Sequence, residues 1–333
     1  MIIACARPHL LAAALDPLRS APPGTIEVAV AGDVGDVDPA HLPVPVRLIP
    51  IADRHTNVRR AAAIAATTAP LLAFLDDDAT PMATWLEAAL AVDPAASVVV
   101  TGPEEPASQT AAARLVHSVS SSRLAEATRA HTSPVAATVG WHEVPFCNCV
   151  VPRSVVAAVG PPSHSVAWDA DDFEFFHRAR EVATFRTDPE LRITHDRYPD
   201  SVPAFLRAKW ALRVRSGEKL VAHPGLYLSV PATVLAGVAP PFAALGLLAA
   251  GRRRRSLLRA GIVAYGLALA TTVPGAVRRT GARSVPRHLG VLVGLHVVTA
   301  TGVQVGLVRA LLGRAGGPPT EIRPVEAPQG PQR

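Results

Sequence analysis

The chain has 333 residues, of which 49% are hydrophobic and 18% charged, so it is more apolar than an average soluble protein. Its formal net charge is +6, but only 5% of the residues are aromatic and the basic clusters lie beside apolar segments; this argues against a nucleic-acid partner and favours an anionic membrane surface. Charged residues are common up to about position 220, and long apolar stretches follow. This shift predicts a soluble domain over 1–220, membrane-associated helices over 221–315 and a disordered tail over 316–333.

The three cysteines, Cys5, Cys147 and Cys149, do not form the even set of a disulfide framework. Cys147-Asn148-Cys149 could supply half of a metal site, but no second cysteine or histidine pair stands at a usable spacing. We therefore expect buried, reduced thiols. Such thiols favour a position of the predicted soluble domain on the cytoplasmic side of a cell membrane.

Strand-like and helix-like segments alternate through the first hundred residues. Short apolar runs predict strands at 2–6, 26–31, 46–51, 71–75 and 97–101. Helical spacing predicts helices at 10–18, at 57–67 with Asn57 as its N-cap, and at 84–90. This order predicts an α/β fold, Rossmann-like, with a mostly parallel sheet and helices on both faces.

The middle of the chain is less regular. Helices are predicted at 110–129, 168–180 and 204–215, and the stretch at 144–151 is apolar again. The last of these helices is basic and amphipathic, which favours a position on a membrane surface.

Three apolar segments, 226–250, 257–277 and 289–312, each approach or exceed the roughly 20 residues that span a bilayer. Arginines flank every segment, so the positive-inside rule cannot place both connecting loops in the cytosol if all three span. One interpretation is that the first segment bends at Pro240-Pro241 and returns as a re-entrant hairpin. The alternative is a set of buried helices in a soluble domain.

Three consecutive carboxylates, Asp76, Asp77 and Asp78, follow the strand predicted at 71–75. Open parallel sheets bind ligands beyond the carboxyl ends of their strands, and adjacent carboxylates repel one another unless a cation pairs with them. Hard divalent cations such as Mg²⁺ or Mn²⁺ prefer oxygen ligands, which favours a metal site here. The alternative is a solvated acidic turn.

A second acidic group opens the helix predicted at 168–180, where Asp171, Asp172, Glu174 and Arg178 fall on or near one face. A carboxylate such as Asp172 can act as a general base that takes the proton of a hydroxyl group. The alternative is that acidic residues here only cap the helix and interact with its positive end.

His195 follows a strand-like stretch near the end of the predicted soluble domain. A neutral imidazole can be a metal ligand. A hydrogen-bonded structural histidine explains the sequence equally well, so both interpretations stay open.

Taken in order, these segments resemble the inverting family 2 glycosyltransferases of GT-A fold, over roughly positions 1–215. The matching segments are Arg7-Pro-His-Leu-Leu11 after the first strand, Gly32-Asp33, Asn57-Val-Arg-Arg-Ala-Ala62, Phe74-Leu-Asp-Asp-Asp-Ala-Thr-Pro81 with Trp85-Leu86, and Asp171-Asp-Phe-Glu-Phe-Phe-His-Arg178. Arg60 stands where that family has asparagine, and Asp171 where it has glutamate.

The resemblance implies an activity and a set of roles. A sugar moves from a nucleotide-sugar donor to a hydroxyl acceptor with inversion at the anomeric carbon, and the membrane segments suggest a lipid-linked or cell-envelope glycan as acceptor. Asp172 is the implied base, and a divalent metal, Mg²⁺ or Mn²⁺, is held by Asp76, Asp78 and His195. The implied donor-binding residues are Asp33 at the nucleobase, Arg59, Asp76, Asp77, Asp171 and Arg178; Asp77 has no separate task among them.

Two other functions fit parts of the sequence. Asp76-Asp-Asp-Ala-Thr80 matches the pattern of aspartyl-phosphate phosphatases, but the only lysines, Lys209 and Lys219, come after the later acidic pair instead of before it. A non-catalytic membrane scaffold with a degenerate GT-A domain would explain the departures at Arg60 and Asp171.

Overall fold

The computed structural model describes residues 1–122, 136–163, 171–196, 199, 201–227, 250 and 253–313. The strands are β1 Ile2–Cys5, β2 Val28–Gly32, β3 Val46–Pro50, β4 Leu71–Asp76, β5 Ala79–Pro81, β6 Val98–Thr101, β7 Glu104–Pro106, β8 Ala137–Thr138, β9 Asn148–Pro152, β10 Thr184–Thr187 and β11 Ile193–His195. The α-helices are α1 Leu11–Leu15, α2 Thr56–Ala65, α3 Trp85–Leu90, α4 Ala111–Ser120, α5 Arg153–Val159, α6 Asp171–Ala179, α7 Val202–Ala222, α8 Pro224–Tyr227, α9 Arg254–Ala270, α10 Val273–Thr280 and α11 Val285–Leu311.

The larger of two sheets contains eight strands in the order β3-β2-β1-β4-β9-β6-β10-β8. The first four pair in parallel, and β6 pairs in parallel with β10. Strand β9 is antiparallel to both neighbours, and β8 is antiparallel to β10. The predicted mostly parallel α/β sheet is confirmed, and the apolar stretch at 144–151 contributes to β9, the antiparallel strand in its centre.

Successive side chains of the central strands enter two separate cores. Ile3 packs on one face with Trp85 of α3, whereas Ile2 packs on the other face with Phe176 of α6. Because side chains of a strand alternate between its two faces, both faces need a helical cover. The prediction of helices on both faces is confirmed.

The helix predicted at 10–18 is divided into one α-helical stretch, Leu11–Leu15, and two flanking 3-10 turns. The second turn contains Pro17, which has no N–H to donate to the preceding turn. The α-helical hydrogen bonding therefore cannot continue through it, and the chain closes in the tighter form.

The predicted N-cap of α2 is wrong. The helix begins at Thr56, and Nδ1 of His55 accepts the hydrogen bond from the Asn57 backbone N–H at 3.2 Å. The Asn57 amide donates instead to the carbonyl of Ser163 at 2.9 Å, which ties α2 to the segment after α5. Histidine is outside the usual set of N-cap residues, so the sequence pattern favoured asparagine.

Several predicted segments reach beyond the described residues. The helix predicted at 110–129 is observed as α4, Ala111–Ser120, and the rest of that range falls partly in 123–135. Most of the apolar segment 226–250, with its proposed hairpin, and the tail at 316–333 lie outside the described part of the chain. The domain boundary placed at 220 stays a prediction; that position lies inside α7.

Helix α7 is longer than the predicted 204–215 helix, and one of its faces packs closely against α11. A Cβ atom added at Gly217 would lie 2.2 Å from the carbonyl oxygen of Val303, and one at Gly306 would lie 1.9 Å from that of Val214. Only glycine permits such an approach of two helix backbones. That the basic side of α7 meets a membrane surface stays a prediction.

We expect Gly306→Ala to lower the stability of the chain by about 1–3 kcal/mol, because the added methyl group overpacks the contact with α7. Gly290→Ala on the same helix is the matched control: nothing lies within 4 Å of its added Cβ. Alanine in that open position is expected to be neutral or to stabilise the helix by up to about 1 kcal/mol. Equal melting temperatures of the two variants in detergent would contradict the close packing.

Two stretches, Arg254–Thr280 and Ala282–Leu311, are long and apolar enough to cross a membrane by length and composition. On the first of them, Leu257, Ile262 and Leu267 are 52%, 70% and 66% exposed. Several large apolar side chains exposed on one helix are uncommon on water-facing surfaces and mark contacts with lipid or protein. This exposure is not what the alternative of buried core helices predicts.

Candidate active site

The carboxyl ends of three parallel strands lie together at one edge of the large sheet. Cys5 of β1 is paired with Gly32 of β2, and Ala4 of β1 is paired with Asp76 of β4. The residues that follow these strands, among them Arg7 and Asp33, therefore gather at this edge. It is the position at which open parallel sheets bind ligands.

A small second sheet adds residues from two later parts of the chain. Its strand order is β5-β11-β7, with His195 opposite Ala79 on one side and Pro106 on the other. The Asp196 N–H also donates to the carbonyl of Asp78 at 3.1 Å. These contacts bring His195 beside the acidic triplet, although 117 positions separate it from Asp78.

The three predicted metal ligands are brought together. Nε2 of His195 lies 3.0 Å from Oδ1 of Asp78 and 3.7 Å from Oδ2 of Asp76. One possible ligand atom from each residue lies within 4.8 Å of the others, so the group could hold a metal ion. Two carboxylates and an imidazole suit a divalent cation such as Mn²⁺ or Mg²⁺.

Two arginines partly neutralise this acidic group. Arg7 Nη1 lies 2.7 Å from Asp78 Oδ2, and Arg60 Nη2 lies 3.3 Å from Asp76 Oδ1. The guanidinium of Arg60 also stacks on the Phe146 ring, 4.5 Å from its centroid. Arg60, which stands where the resembled family has asparagine, is therefore part of the site because it pairs with Asp76.

Asp78 and Asp76 differ in how readily they ionise. Burial disfavours the charged form of Asp78, but hydrogen bonds and charge from His195 and Arg7 prevail and lower its pKa to about 2. Burial raises the pKa of Asp76, while Arg60 and His195 oppose that shift. Asp78 is therefore ionised at neutral pH, which is the form that a divalent cation binds.

Asp77 has protein partners on both of its oxygens. Oδ2 accepts hydrogen bonds from the backbone N–H groups of Ala6 and Arg7, both at 2.6 Å. Oδ1 accepts from Nε and Nη2 of Arg7 at 3.0 and 2.6 Å. Asp77 therefore holds the chain at the end of β1, and its contact with a donor stays a prediction.

The two remaining predicted donor residues at this edge differ in exposure. Asp33 is exposed directly after β2, and its N–H donates to the Cys5 carbonyl at 3.1 Å. Arg59 is buried, and its guanidinium donates to the carbonyl oxygens of Asp53 and Cys5. Arg59 thus supports the backbone beneath Asp33.

Helix α6 contains three predicted site residues, Asp171 and Asp172 in its first turn and Arg178 in its last. Asp172 is half-buried in the first turn, where its Oδ1 accepts from the Phe173 N–H at 3.0 Å. Burial raises the pKa of the Cys149 thiol, and the charges of Arg60, Asp172 and Asp76 also act on that thiol. The side chain of Asp171 lies outside the described part of the chain.

Arg178 lies at the C-terminal end of α6, and its side chain bonds to other groups of the protein. Its guanidinium donates to the carbonyl oxygens of Val159 and Pro161, and its Nε lies 3.2 Å from Glu174. These contacts tie α6 to the segment after α5. The predicted donor contact through Arg178 is not supported by this arrangement, because sequence spacing does not reveal which carbonyl groups an arginine will meet.

Besides Arg60, two further residues of the site were not predicted. Arg7 bonds Asp77 and Asp78, and Glu104 lies 3.3 Å from Nδ1 of His195. Both follow the carboxyl end of a strand, so the rule that singled out the triplet could have found them. The expectation of free, buried cysteines is confirmed, but Cys147 joins Glu104 and His195 in a second group that could hold a metal ion.

No protein-family model and no curated protein matches the chain. The solved structures that are similar to it include two that match over most of the chain. One is the mannosyltransferase PcManGT from Pyrobaculum calidifontis in complex with GDP-Man and Mn²⁺, 20% identical, with a TM-score of 0.49 over 90% of this chain and 85% of that chain. The other is S. aureus TarS 1–349, 12% identical, with a TM-score of 0.42 over 94% of this chain and 90% of that chain. At these values the likeness carries no argument about what the chain binds or does.

Proposed function

We propose that the chain is a glycosyltransferase of GT-A fold that moves a hexosyl group from a nucleotide-sugar donor to a hydroxyl acceptor. The observation that carries this proposal is the convergence of Asp76, Asp78 and His195 at the carboxyl edge of parallel strands. Exposed Asp33 at the same edge and half-buried Asp172 in the first turn of α6 are proposed to supply the two other functions that such a reaction needs. These are recognition of the nucleotide and removal of the acceptor proton.

The donor is proposed to lie across the edge of the sheet. Asp33 contacts the nucleobase, with Arg59 supporting the backbone beside it. Asp76, Asp78 and His195 would hold a divalent metal, which when bound supplies positive charge that stabilises the leaving diphosphate. Asp171 is proposed to contact the donor as well, because the family resemblance implies that role.

Asp172 is proposed as the general base. As the acceptor oxygen bonds to the anomeric carbon, the bond from that carbon to the diphosphate oxygen breaks, and the hydroxyl proton passes to Asp172. Attack from the face opposite the leaving group inverts the anomeric configuration. This inverting course is that of the family 2 enzymes that the sequence resembles.

A cell-membrane location is part of the proposal. Two apolar helical stretches of sufficient length and the exposed apolar side chains of α9 support it. Free, buried cysteines favour a cytoplasmic catalytic domain. An acceptor met at the bilayer surface would be a lipid-linked sugar or a cell-envelope glycan.

The proposal is tested by a donor screen with the full chain purified in detergent, measuring release of nucleoside diphosphate in the presence of candidate acceptors. Release with one nucleotide sugar supports the transferase. Binding of a nucleotide sugar without release would favour the non-catalytic scaffold, and a phosphate ester trapped on Asp76 would favour the phosphatase.

We expect a chelator to stop turnover. Removing a metal that stabilises the diphosphate by several kcal/mol should lower the rate by about 100-fold or more. The measurement is nucleoside diphosphate release with excess EDTA, and the control is recovery on adding excess Mn²⁺. Undiminished release in EDTA would contradict a metal at Asp76 and Asp78.

A further inference from the structure

Glu104 is a buried carboxylate with two different hydrogen-bond partners. It is 1% exposed; the Cys147 thiol donates to its Oε1 at 3.1 Å, and Oε2 lies 3.3 Å from Nδ1 of His195. On the other edge of the same imidazole ring, Nε2 lies 3.0 Å from Asp78. The ring of His195 is therefore held between one carboxylate behind it and the acidic group in front of it.

Burying a carboxylate costs free energy unless its oxygens have hydrogen-bond partners. The two oxygens of Glu104 contact a thiol and an imidazole. Histidines that bind metals commonly donate their other ring N–H to a carboxylate, which fixes the orientation of the ring and its tautomer. The contacts of Glu104 have this form. A purely structural partner for His195 could equally have been a backbone carbonyl.

We propose that Glu104 is a positioning residue for the metal site: it accepts the Nδ1–H of His195 and so directs Nε2 toward the space shared with Asp76 and Asp78. This inference rests on the proposed function. Cys147 completes the arrangement, because its thiol occupies Oε1 and leaves Oε2 turned toward the imidazole.

The rival arrangement is a metal bound directly by Glu104, Cys147 and His195, whose ligand atoms also lie within 4.8 Å of one another. The cysteine contact argues against it. The Cys147 sulfur lies 3.1 Å from Oε1 of Glu104 in a hydrogen-bond contact, whereas direct metal binding would place its thiolate beside this buried carboxylate. Cys147 is therefore assigned as a hydrogen-bond donor to Glu104.

The test uses the full chain in detergent and Mn²⁺ alone, without a nucleotide. Glu104→Gln is expected to weaken Mn²⁺ binding by about 10–100-fold in calorimetry, since loss of such a partner has that effect on metal affinity. Glu105→Gln is the matched control, because the neighbouring Glu105 is more exposed and pairs with Arg192. It is expected to bind Mn²⁺ like the wild type.

A spectroscopic signature separates positioning from general support of the fold. Electron spin-echo spectra of Mn²⁺ bound to the wild type should show coupling to an imidazole nitrogen, and His195→Gln should abolish it. In Glu104→Gln this coupling is expected to be lost or reduced, and in Glu105→Gln retained. If Glu104→Gln does not fold, Glu104→Asp, one methylene shorter, is expected to show the same weakening.

Three outcomes would overturn the inference. If a folded Glu104 variant binds Mn²⁺ within about threefold of the wild type with unchanged nitrogen coupling, Glu104 does not position His195. If Cys147→Ser, which keeps a hydrogen-bond donor, abolishes Mn²⁺ binding, the metal lies in the rival group. If the wild type itself binds no Mn²⁺, the metal site of the proposed function fails as well, which distinguishes the two failures.

Discussion

Replacing Asp172 by asparagine is expected to lower kcat for sugar transfer by about 10²–10⁴-fold, the range that a general base contributes. Asparagine has nearly the same shape but cannot take the acceptor proton. Its carbonyl oxygen can still accept the hydrogen bond that Asp172 receives from the Phe173 N–H, so α6 should keep its first turn. Donor affinity is expected to stay close to that of the wild type, because the change affects only the acceptor step.

Asp93→Asn is the matched control for this variant. Asp93 is exposed before β6, at the edge of the sheet opposite the site, and accepts only a local hydrogen bond from Ala95. Transfer rates and nucleotide-sugar affinity should be measured for both variants. Wild-type transfer by Asp172→Asn would remove Asp172 from the role of base, and an equal loss in the control would point to damage of the fold.

Asparagine at Asp77 and at Asp78 should produce two different defects. Asp77→Asn removes a buried charge that accepts four hydrogen bonds from Ala6 and Arg7. Breaking a buried pair costs about 3–5 kcal/mol, and the partial exposure of Arg7 places the expected cost near the lower end. That loss corresponds to a melting temperature lower by roughly 6–12 °C, while Mn²⁺ affinity should fall only modestly.

Asp78→Asn is expected to weaken Mn²⁺ binding by more than the roughly 10–100-fold that loss of a ligand's hydrogen-bond partner costs, because it removes a ligand itself. Some stability should be lost too, since Asp78 also pairs with Arg7 and His195. Calorimetric titration with Mn²⁺ and melting curves on the same samples separate the two effects. Equal losses of metal affinity and equal melting temperatures in the two variants would contradict the separate roles given to Asp77 and Asp78.

Local patterns in the sequence predicted most of the regular elements. Buried strands at 71–75 and 97–101 are recognisable because an apolar run of that length has few other uses, and the structure extends or shortens each by one residue. Errors arose where a single side chain decides the outcome. Pro17 broke a helix that its apolar spacing favoured, and His55 replaced Asn57 as the cap of α2.

Long-range contacts limited what could be said about the site. The metal site of Asp76, Asp78 and His195 was predicted because three aspartates follow a buried strand and because the family resemblance implied His195. Glu104 follows a strand end, as the triplet does, but its contact with His195 could not be foreseen, because its partners stand 43 and 91 positions away. The antiparallel direction of β9 was missed for the same reason: strand direction depends on the path of the whole chain.

The sequence by itself determined that three carboxylates stand at the end of a buried strand, because hydrophobic periodicity and chain order are local properties. Only the tertiary structure decided what each carboxylate does. Asp77 turns to the backbone beside Arg7, Asp76 to Arg60, and Asp78 to both Arg7 and His195. Adjacent residues at a strand end point in different directions, so their partners come from distant segments that only folding brings into contact.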